Sequence, residues 1–77
     1  MKVEVFAVLK DYFDKEFELG GEIKDIASLQ NRLEEMNSGA SAVLNLCRFA
    51  VHNEFVNHDY SLTPNDTICI IPPSSGG

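Results

Sequence analysis

The change of apolar period along this 77-residue chain restricts its fold more than any other feature. From Ile26 to Met36 apolar side chains recur every three or four positions, which is the pattern of an amphipathic helix. Before and after that stretch the apolar residues alternate or form short β-branched runs, as in strands. A chain this short has room for one core, so the strands must form a sheet that packs on the helix. The sequence therefore predicts one α+β domain.

Two predicted strands precede the helix. The first spans residues 2–9, and its core-facing positions are Val3, Val5, Ala7 and Leu9. Phe6 lies on the opposite face, which begins with two charged residues, so we expect an exposed aromatic there. After a turn at residues 10–13, the second strand covers residues 16–19 and stops at Gly20-Gly21. Together these strands predict an N-terminal hairpin.

The helix has recognisable ends. Asp25 is the expected N-cap, and residues 37–39 (Asn-Ser-Gly) are the expected stop. The apolar stripe comprises Ile26, Leu29, Leu33 and Met36, and the predicted polar face comprises Gln30, Asn31, Arg32, Glu34 and Glu35. A second, short helical segment is predicted within residues 41–46.

The last third of the chain returns to strands. They are predicted at residues 48–52, 55–56 and 67–71, with turns at Asn53-Glu54 and at residues 62–66, where Pro64 and an Asn-Asp pair occur. If the last strand pairs in parallel with the first across the helical crossover, it becomes a central strand. The expected architecture is a mixed sheet of about five strands packed on one main helix.

The final strand runs directly into Pro72-Pro73, followed by Ser74-Ser75-Gly76-Gly77. We expect residues 1–73 to form the domain and residues 74–77 to form a flexible tail. Two terminal glycines have no Cβ that could obstruct a narrow channel, so Gly77 is a candidate reactive carboxylate. A merely disordered end and a cloning scar are the alternatives.

Charge limits the classes of partner. The net charge is −6, with 12 acidic and 6 basic residues, and no Lys/Arg cluster occurs. Nucleic acids and anionic membrane surfaces are therefore unexpected partners. No stretch approaches the roughly 20 apolar residues of a membrane span, and residues 1–5 do not resemble a signal peptide. We expect a cytoplasmic protein.

The chain offers little chemistry of its own. Cys47 and Cys69 have apolar neighbours and are expected to be buried free thiols. His52 and His58 lack metal-ligand spacing, so no metal site is predicted. Gly20-Gly21 lacks the Gly-Lys-Ser/Thr of a phosphate-binding loop, so we expect no bound cofactor. The chain therefore looks like a substrate on which other proteins act and not like a catalyst.

Three stretches, taken together, resemble a known family. They are residues 5–7 (Val-Phe-Ala), residues 49–56 (Phe-Ala-Val-His-Asn-Glu-Phe-Val), and residues 62–66 leading to the Pro-Pro-Ser-Ser-Gly-Gly ending. The likeness is to the molybdopterin synthase small subunit, in the MoaD/ThiS family of ubiquitin-like sulfur carriers. The proline pair favours the molybdopterin branch over the thiamin branch. His52 departs from the family, which commonly has Asn there.

The resemblance implies a β-grasp (ubiquitin-like) fold and a sulfur-carrier cycle. A ubiquitin-activating-type adenylyltransferase would use ATP to adenylate Gly77, and the acyl-adenylate would be converted to a thiocarboxylate. That sulfur would be donated to the cyclic pyranopterin precursor of the molybdenum cofactor on the large subunit, in a heterotetramer. The chain alone would have no activity.

The resemblance also assigns residues to these roles. Gly77 and Gly76 would be the reactive end, and the partner-binding residues would be Phe6, Lys10, Phe55, Ile71, Pro72, Pro73, Ser74 and Ser75. Two further hypotheses remain beside a sulfur carrier of this or the thiamin thiazole pathway. One is a ubiquitin-like modifier that is joined to lysines of other proteins, and the other is a β-grasp adaptor whose tail does no chemistry.

Overall fold

The part of the chain that the structure describes contains five strands and two α-helices. They are β1 (Lys2–Val5), β2 (Glu16–Glu18), α1 (Ile26–Met36), α2 (Ser41–Leu44), β3 (Arg48–Val51), β4 (Glu54–Val56) and β5 (Thr67–Ile71). The computed structural model describes residues 1–73, so the predicted tail, residues 74–77, lies outside the described residues. No helix within the described part is long and apolar enough to cross a membrane.

The strands form one mixed sheet in the order β2-β1-β5-β3-β4. β1 and β2 form the predicted antiparallel hairpin, and β5 pairs in parallel with β1 and antiparallel with β3. β5 is therefore the central strand, as the sequence predicted. A parallel pair cannot be closed by a tight turn, and the connection between β1 and β5 includes helix α1.

Helix α1 covers one face of the sheet. Its Ile26, Leu29 and Leu33 are fully buried. They belong to the same core as the alternate residues Val3 and Val5 of β1 and Ile68 and Ile70 of β5. The predicted N-cap is confirmed, since Asp25 Oδ1 accepts a hydrogen bond of 2.8 Å from the Ser28 backbone N–H. The Ser28 side chain and this backbone N–H both favour the charged carboxylate and so lower the pKa of Asp25.

Two predictions for α1 are wrong. Met36, placed in the apolar stripe, is 50% exposed, because the core ends one turn earlier at Leu33. Gln30, placed on the polar face, is buried. Its Nε2 donates to Asn45 Oδ1 (2.8 Å) and to Glu34 Oε2 (3.0 Å), and its Oε1 lies 2.8 Å from His58 Nε2. Burial is tolerated because the whole amide is hydrogen-bonded.

The first strand is shorter than predicted. β1 ends at Val5, Phe6 is still extended, and Ala7 has a φ of +54° that turns the chain into a 3₁₀ helix, Ala7–Asp11. Ala7 is exposed instead of facing the core. Leu9 is buried as predicted, but from this turn and not from a strand.

The β3–β4 turn is displaced by one residue from its predicted place. His52 and Asn53 both have positive φ, +53° and +66°, and they connect Val51 to its strand partner Glu54. Two consecutive residues with positive φ are typical of a type I′ hairpin turn. Strand β3 accordingly ends at Val51 and not at His52.

Candidate functional site

The side of the sheet that faces away from α1 is the candidate site, and we call it the open face. Strand register places one row of side chains across it: Glu16, Glu4, Cys69, Ala50 and Phe55, each the partner of the next. Ile71 and Arg48 form the neighbouring pair. Since side chains alternate along a strand, these residues point away from the buried Ile68 and Ile70.

The open face has a concavity of about 500 Å³, lined by Phe6, Phe55, Ile71, Cys69 and Ala50 among others. Its depth has a simple origin. The small side chains of Cys69 and Ala50 lie in the middle strands, while the larger Phe6, Phe55 and Ile71 stand around them. Phe6 is 39% exposed and Phe55 is 59% exposed, although exposed aromatic side chains lose favourable burial.

The predicted partner-binding residues are only partly brought together. Phe6, Phe55 and Ile71 line the same concavity. Pro72 is buried and Pro73 exposed, and both border an adjoining concavity of about 340 Å³ with Phe55 and Ile71. Lys10 is exposed at the end of the 3₁₀ helix and lines neither concavity. Ser74, Ser75, Gly76 and Gly77 lie outside the described residues.

The two cysteines have different settings. Cys47 is buried as predicted, and its Sγ lies 3.2 Å from the Val43 carbonyl oxygen. Burial raises its pKa to about 11. Cys69 was predicted to be buried but is only half-buried, because it lies on the open face. Burial, and then the neighbouring Glu4 carboxylate, raise the pKa of Cys69. Both thiols are therefore protonated near neutral pH and are poor nucleophiles.

Sequence reasoning did not assign several residues to this surface. Glu4 and Ala50 line the large concavity, and Arg48 lies with Leu46 in the adjoining one. The alternation of each strand indicates which face a residue occupies. It does not indicate which residue of another strand lies beside it, and that neighbourhood is what makes the surface.

No candidate metal centre accompanies this face. Among residues 1–73, no group of three or more His, Cys, Asp or Glu side chains could hold a metal ion. His52 instead lies 3.5 Å from Asp66, whose other carboxylate oxygen accepts a hydrogen bond from the Thr63 backbone N–H. That arrangement joins the type I′ turn to the loop before β5, so its evident role is structural.

Comparison with known proteins identifies a matching family and structures that are similar to this chain. A family model described as the ThiS family matches residues 3–77. A chain in the complex of subunits 1 and 2 of the molybdopterin-converting factor from Helicobacter pylori 26695 is 26% identical. It superposes with a TM-score of 0.71, covering 99% of this chain and 96% of that one.

Two structures with lower sequence identity also share the fold. The crystal structure of SAMP1 from Haloferax volcanii has a TM-score of 0.82 at 15% identity, over 99% of this chain and 97% of that chain. A protein provisionally described as molybdopterin-converting factor subunit 1 from Pyrococcus furiosus has a TM-score of 0.74 at 20% identity, over 95% of each chain. With these neighbours, the predicted ubiquitin-like β-grasp fold is confirmed.

Proposed function

Since the chain belongs to the ThiS family, we propose that it is a sulfur carrier, and specifically the small subunit of a molybdopterin synthase. One observation carries the sulfur-carrier proposal. β5 is the central strand of the sheet, it leads through Pro72-Pro73 to Gly76-Gly77, and Phe6, Phe55 and Ile71 form an apolar surface around its end. A partner that grips this surface holds the tail at a defined place.

The proposed chemistry takes place at the Gly77 carboxylate. A carboxylate is a poor electrophile, so an adenylyltransferase first joins it to the α-phosphate of ATP and releases pyrophosphate. Hydrosulfide from a sulfur donor then attacks the acyl carbon and AMP leaves, which produces a thiocarboxylate. Its sulfur is a soft nucleophile that attacks a carbon of the pterin precursor and displaces an oxygen substituent from that carbon. Hydrolysis of the resulting acyl bond returns Gly77 to a carboxylate and leaves the sulfur on the product.

The residues of the open face and of the tail have distinct parts in this proposal. Phe6, Phe55 and Ile71 supply apolar area to the partners, as exposed aromatic and aliphatic anchors do at other interfaces. Pro72 and Pro73 restrict φ and so direct the chain out of the sheet. Gly76 and Gly77 pass through a narrow channel to the active site, and Ser74 and Ser75 connect the two parts. Lys10 contacts a partner only if that partner extends beyond the concavities.

The choice of the molybdopterin pathway rests on two supports. The proline pair before the glycines favours it, and so does the 26% identity to a chain of the Helicobacter pylori complex. The partners would be the large subunit, in a cytoplasmic heterotetramer, and the adenylyltransferase. The thiamin thiazole pathway is the alternative for the same carrier chemistry.

Mass spectrometry of the intact protein tests the carrier chemistry. The chain is co-expressed with its adenylyltransferase and a sulfur source, and we expect replacement of one oxygen by sulfur at Gly77. The purified thiocarboxylate should then convert the cyclic precursor to molybdopterin when the large subunit is added. Deleting Gly77 should abolish both results and leave the thermal melting curve unchanged.

Other outcomes identify the other hypotheses. Isopeptide-linked target proteins indicate a modifier, and the absence of any ATP-dependent change indicates an adaptor. A thiocarboxylate that serves thiazole synthesis but not the large subunit contradicts the pathway and keeps the carrier. Unfolding of the Gly77 deletion variant would contradict the view that the tail is separable from the domain.

A further inference from the structure

A second surface adjoins the large concavity at the end of β5. We call it the root patch and define it as Leu46, Arg48, Phe55 and Ile71, which border the concavity of about 340 Å³ together with Pro72 and Pro73. Leu46 is 68% exposed and Phe55 is 59% exposed, the largest values among the large apolar side chains of residues 1–73. Any protein that takes up the tail from Pro73 onwards passes this patch.

Arg48 is the single charged residue of the root patch. Its guanidinium carbon lies 5.3 Å from the centroid of the Phe55 ring. None of the ion pairs formed within residues 1–73 includes Arg48. Arg48 therefore forms no ion pair within these residues, although the chain has 12 acidic residues and a net charge of −6. A guanidinium held against an aromatic ring keeps its planar N–H edge available for a carboxylate.

We propose that the root patch binds a segment of the large subunit in which an Asp or Glu is flanked by apolar side chains. The carboxylate pairs with Arg48, and the apolar side chains pack on Leu46 and Phe55. This inference rests on the proposed function and adds the chemistry of the partner's contact surface. It makes Arg48 a residue that selects the partner and not a residue that reacts.

Two other occupants fit the patch less well. A phosphate-rich ligand would meet one cation on a molecule whose overall charge repels it. A second copy in a two-fold contact would bring two Arg48 side chains towards one another, since such a contact uses the same patch twice. A carboxylate on an apolar protein segment matches both the charge and the exposed area of the patch.

Charge reversal with a matched control tests the proposal. The test variant is Arg48→Glu. The control variant is Lys24→Glu, which changes the net charge by the same amount but lies on a different surface, beside Met1 and Leu62. Their affinity for the large subunit is measured by calorimetry. At about 0.05 M salt we expect Arg48→Glu to bind about tenfold more weakly and Lys24→Glu to stay within about twofold of the parent. At about 0.5 M salt the Arg48→Glu difference should shrink through screening.

A second variant controls for a folding defect in Arg48→Glu. Arg48→Met keeps an unbranched apolar stem beside Phe55 and removes the guanidinium group, with its charge and its N–H donors, without introducing a negative charge. It should weaken binding less than Arg48→Glu, and its affinity should depend less on salt than that of the parent. Thermal melting of each variant shows whether it is folded.

Each remaining outcome has a definite meaning. If Arg48→Glu binds like the parent or like Lys24→Glu, the proposal is overturned. It is also overturned if Arg48→Glu affects only the adenylyltransferase, or only self-association in sedimentation. If the parent chain itself never binds the large subunit and never carries a thiocarboxylate, the proposed function fails. If the parent does both and Arg48→Glu has no effect, only this inference fails.

Discussion

Three non-glycine residues within residues 1–73 have positive φ, and Ala7 is the one least suited to it. The other two, His52 and Asn53, belong to residue types that tolerate this region, and they form a turn that requires it. For alanine the left-handed conformation costs about 1–2 kcal/mol, because Cβ approaches the following carbonyl oxygen. The strain occurs where β1 ends and Phe6 turns onto the open face, so it coincides with the candidate site.

Replacing Ala7 with glycine should therefore stabilise the protein. The side chain is exposed, so little packing is lost, and we expect Ala7→Gly to raise the free energy of unfolding by about 0.5–1 kcal/mol in urea titrations. The matched control is Ala27→Gly, at an exposed position of helix α1, which should lower the free energy of unfolding by about 1 kcal/mol. Equal destabilisation by both changes would contradict the strained conformation of Ala7.

At the scale of elements, helix α1 shows both the strength and the limit of periodicity. The apolar positions Ile26, Leu29 and Leu33 were read correctly, because a repeat of three and four brings them to one side. The pattern also included Met36, whose exposure depends on how far the sheet extends beneath the helix. Gln30 was misplaced for a related reason, since its partners Asn45 and His58 come from distant segments.

Truncation of the last two residues of the predicted stripe tests this orientation. Leu33→Ala should lower the free energy of unfolding by about 2–5 kcal/mol, because it leaves a cavity in a fully buried site. Met36→Ala should change it by less than about 1 kcal/mol. Denaturant titrations measure both. Similar losses for the two variants would mean that the helix packs with a face different from the one described.

At the scale of the whole molecule, the sheet has two faces with different tasks. One is covered by α1 and holds the core, whereas the other exposes Phe6, Phe55 and Ile71 around the central strand. A 77-residue chain has little apolar surface to spare, so leaving these side chains uncovered reduces its own stability. That cost is offset if a partner covers them, which agrees with the proposed carrier role.

The two faces predict opposite results for two phenylalanines on neighbouring strands. Phe49 on β3 is 2% exposed, so Phe49→Ala should cost about 3–5 kcal/mol of unfolding free energy. Phe55 on β4 is 59% exposed, so Phe55→Ala should cost less than about 1 kcal/mol. Phe55→Ala should nevertheless weaken binding to the large subunit by at least about tenfold. Melting curves and calorimetry separate the two effects, and unchanged binding would remove Phe55 from the interface.

Much of the fold was predictable because it depends on local patterns. The helix, its Asp25 cap, the N-terminal hairpin and the parallel pairing of β5 with β1 follow from periodicity, turn residues and connection length. The end of β1 at Val5 and the turn at His52-Asn53 were misplaced. At the end of β1 the chain turns at Ala7, a residue type that carries no turn signal. At the second turn Asn53 was recognised, and only the other central residue was misassigned, since it is His52 and not Glu54.

Local patterns in the sequence were sufficient for the order of the strands and α-helices, for the buried positions Val3 and Val5 of β1, and for the apolar strand that precedes the terminal glycines. These depend on neighbours two to four residues apart, which a periodic pattern records directly. Strand pairing in the folded sheet brings Glu4, Cys69, Ala50 and Phe55 into one row and places Arg48 beside Ile71. Those neighbours come from distant segments, and they meet through the register of strand pairing, which no single segment specifies.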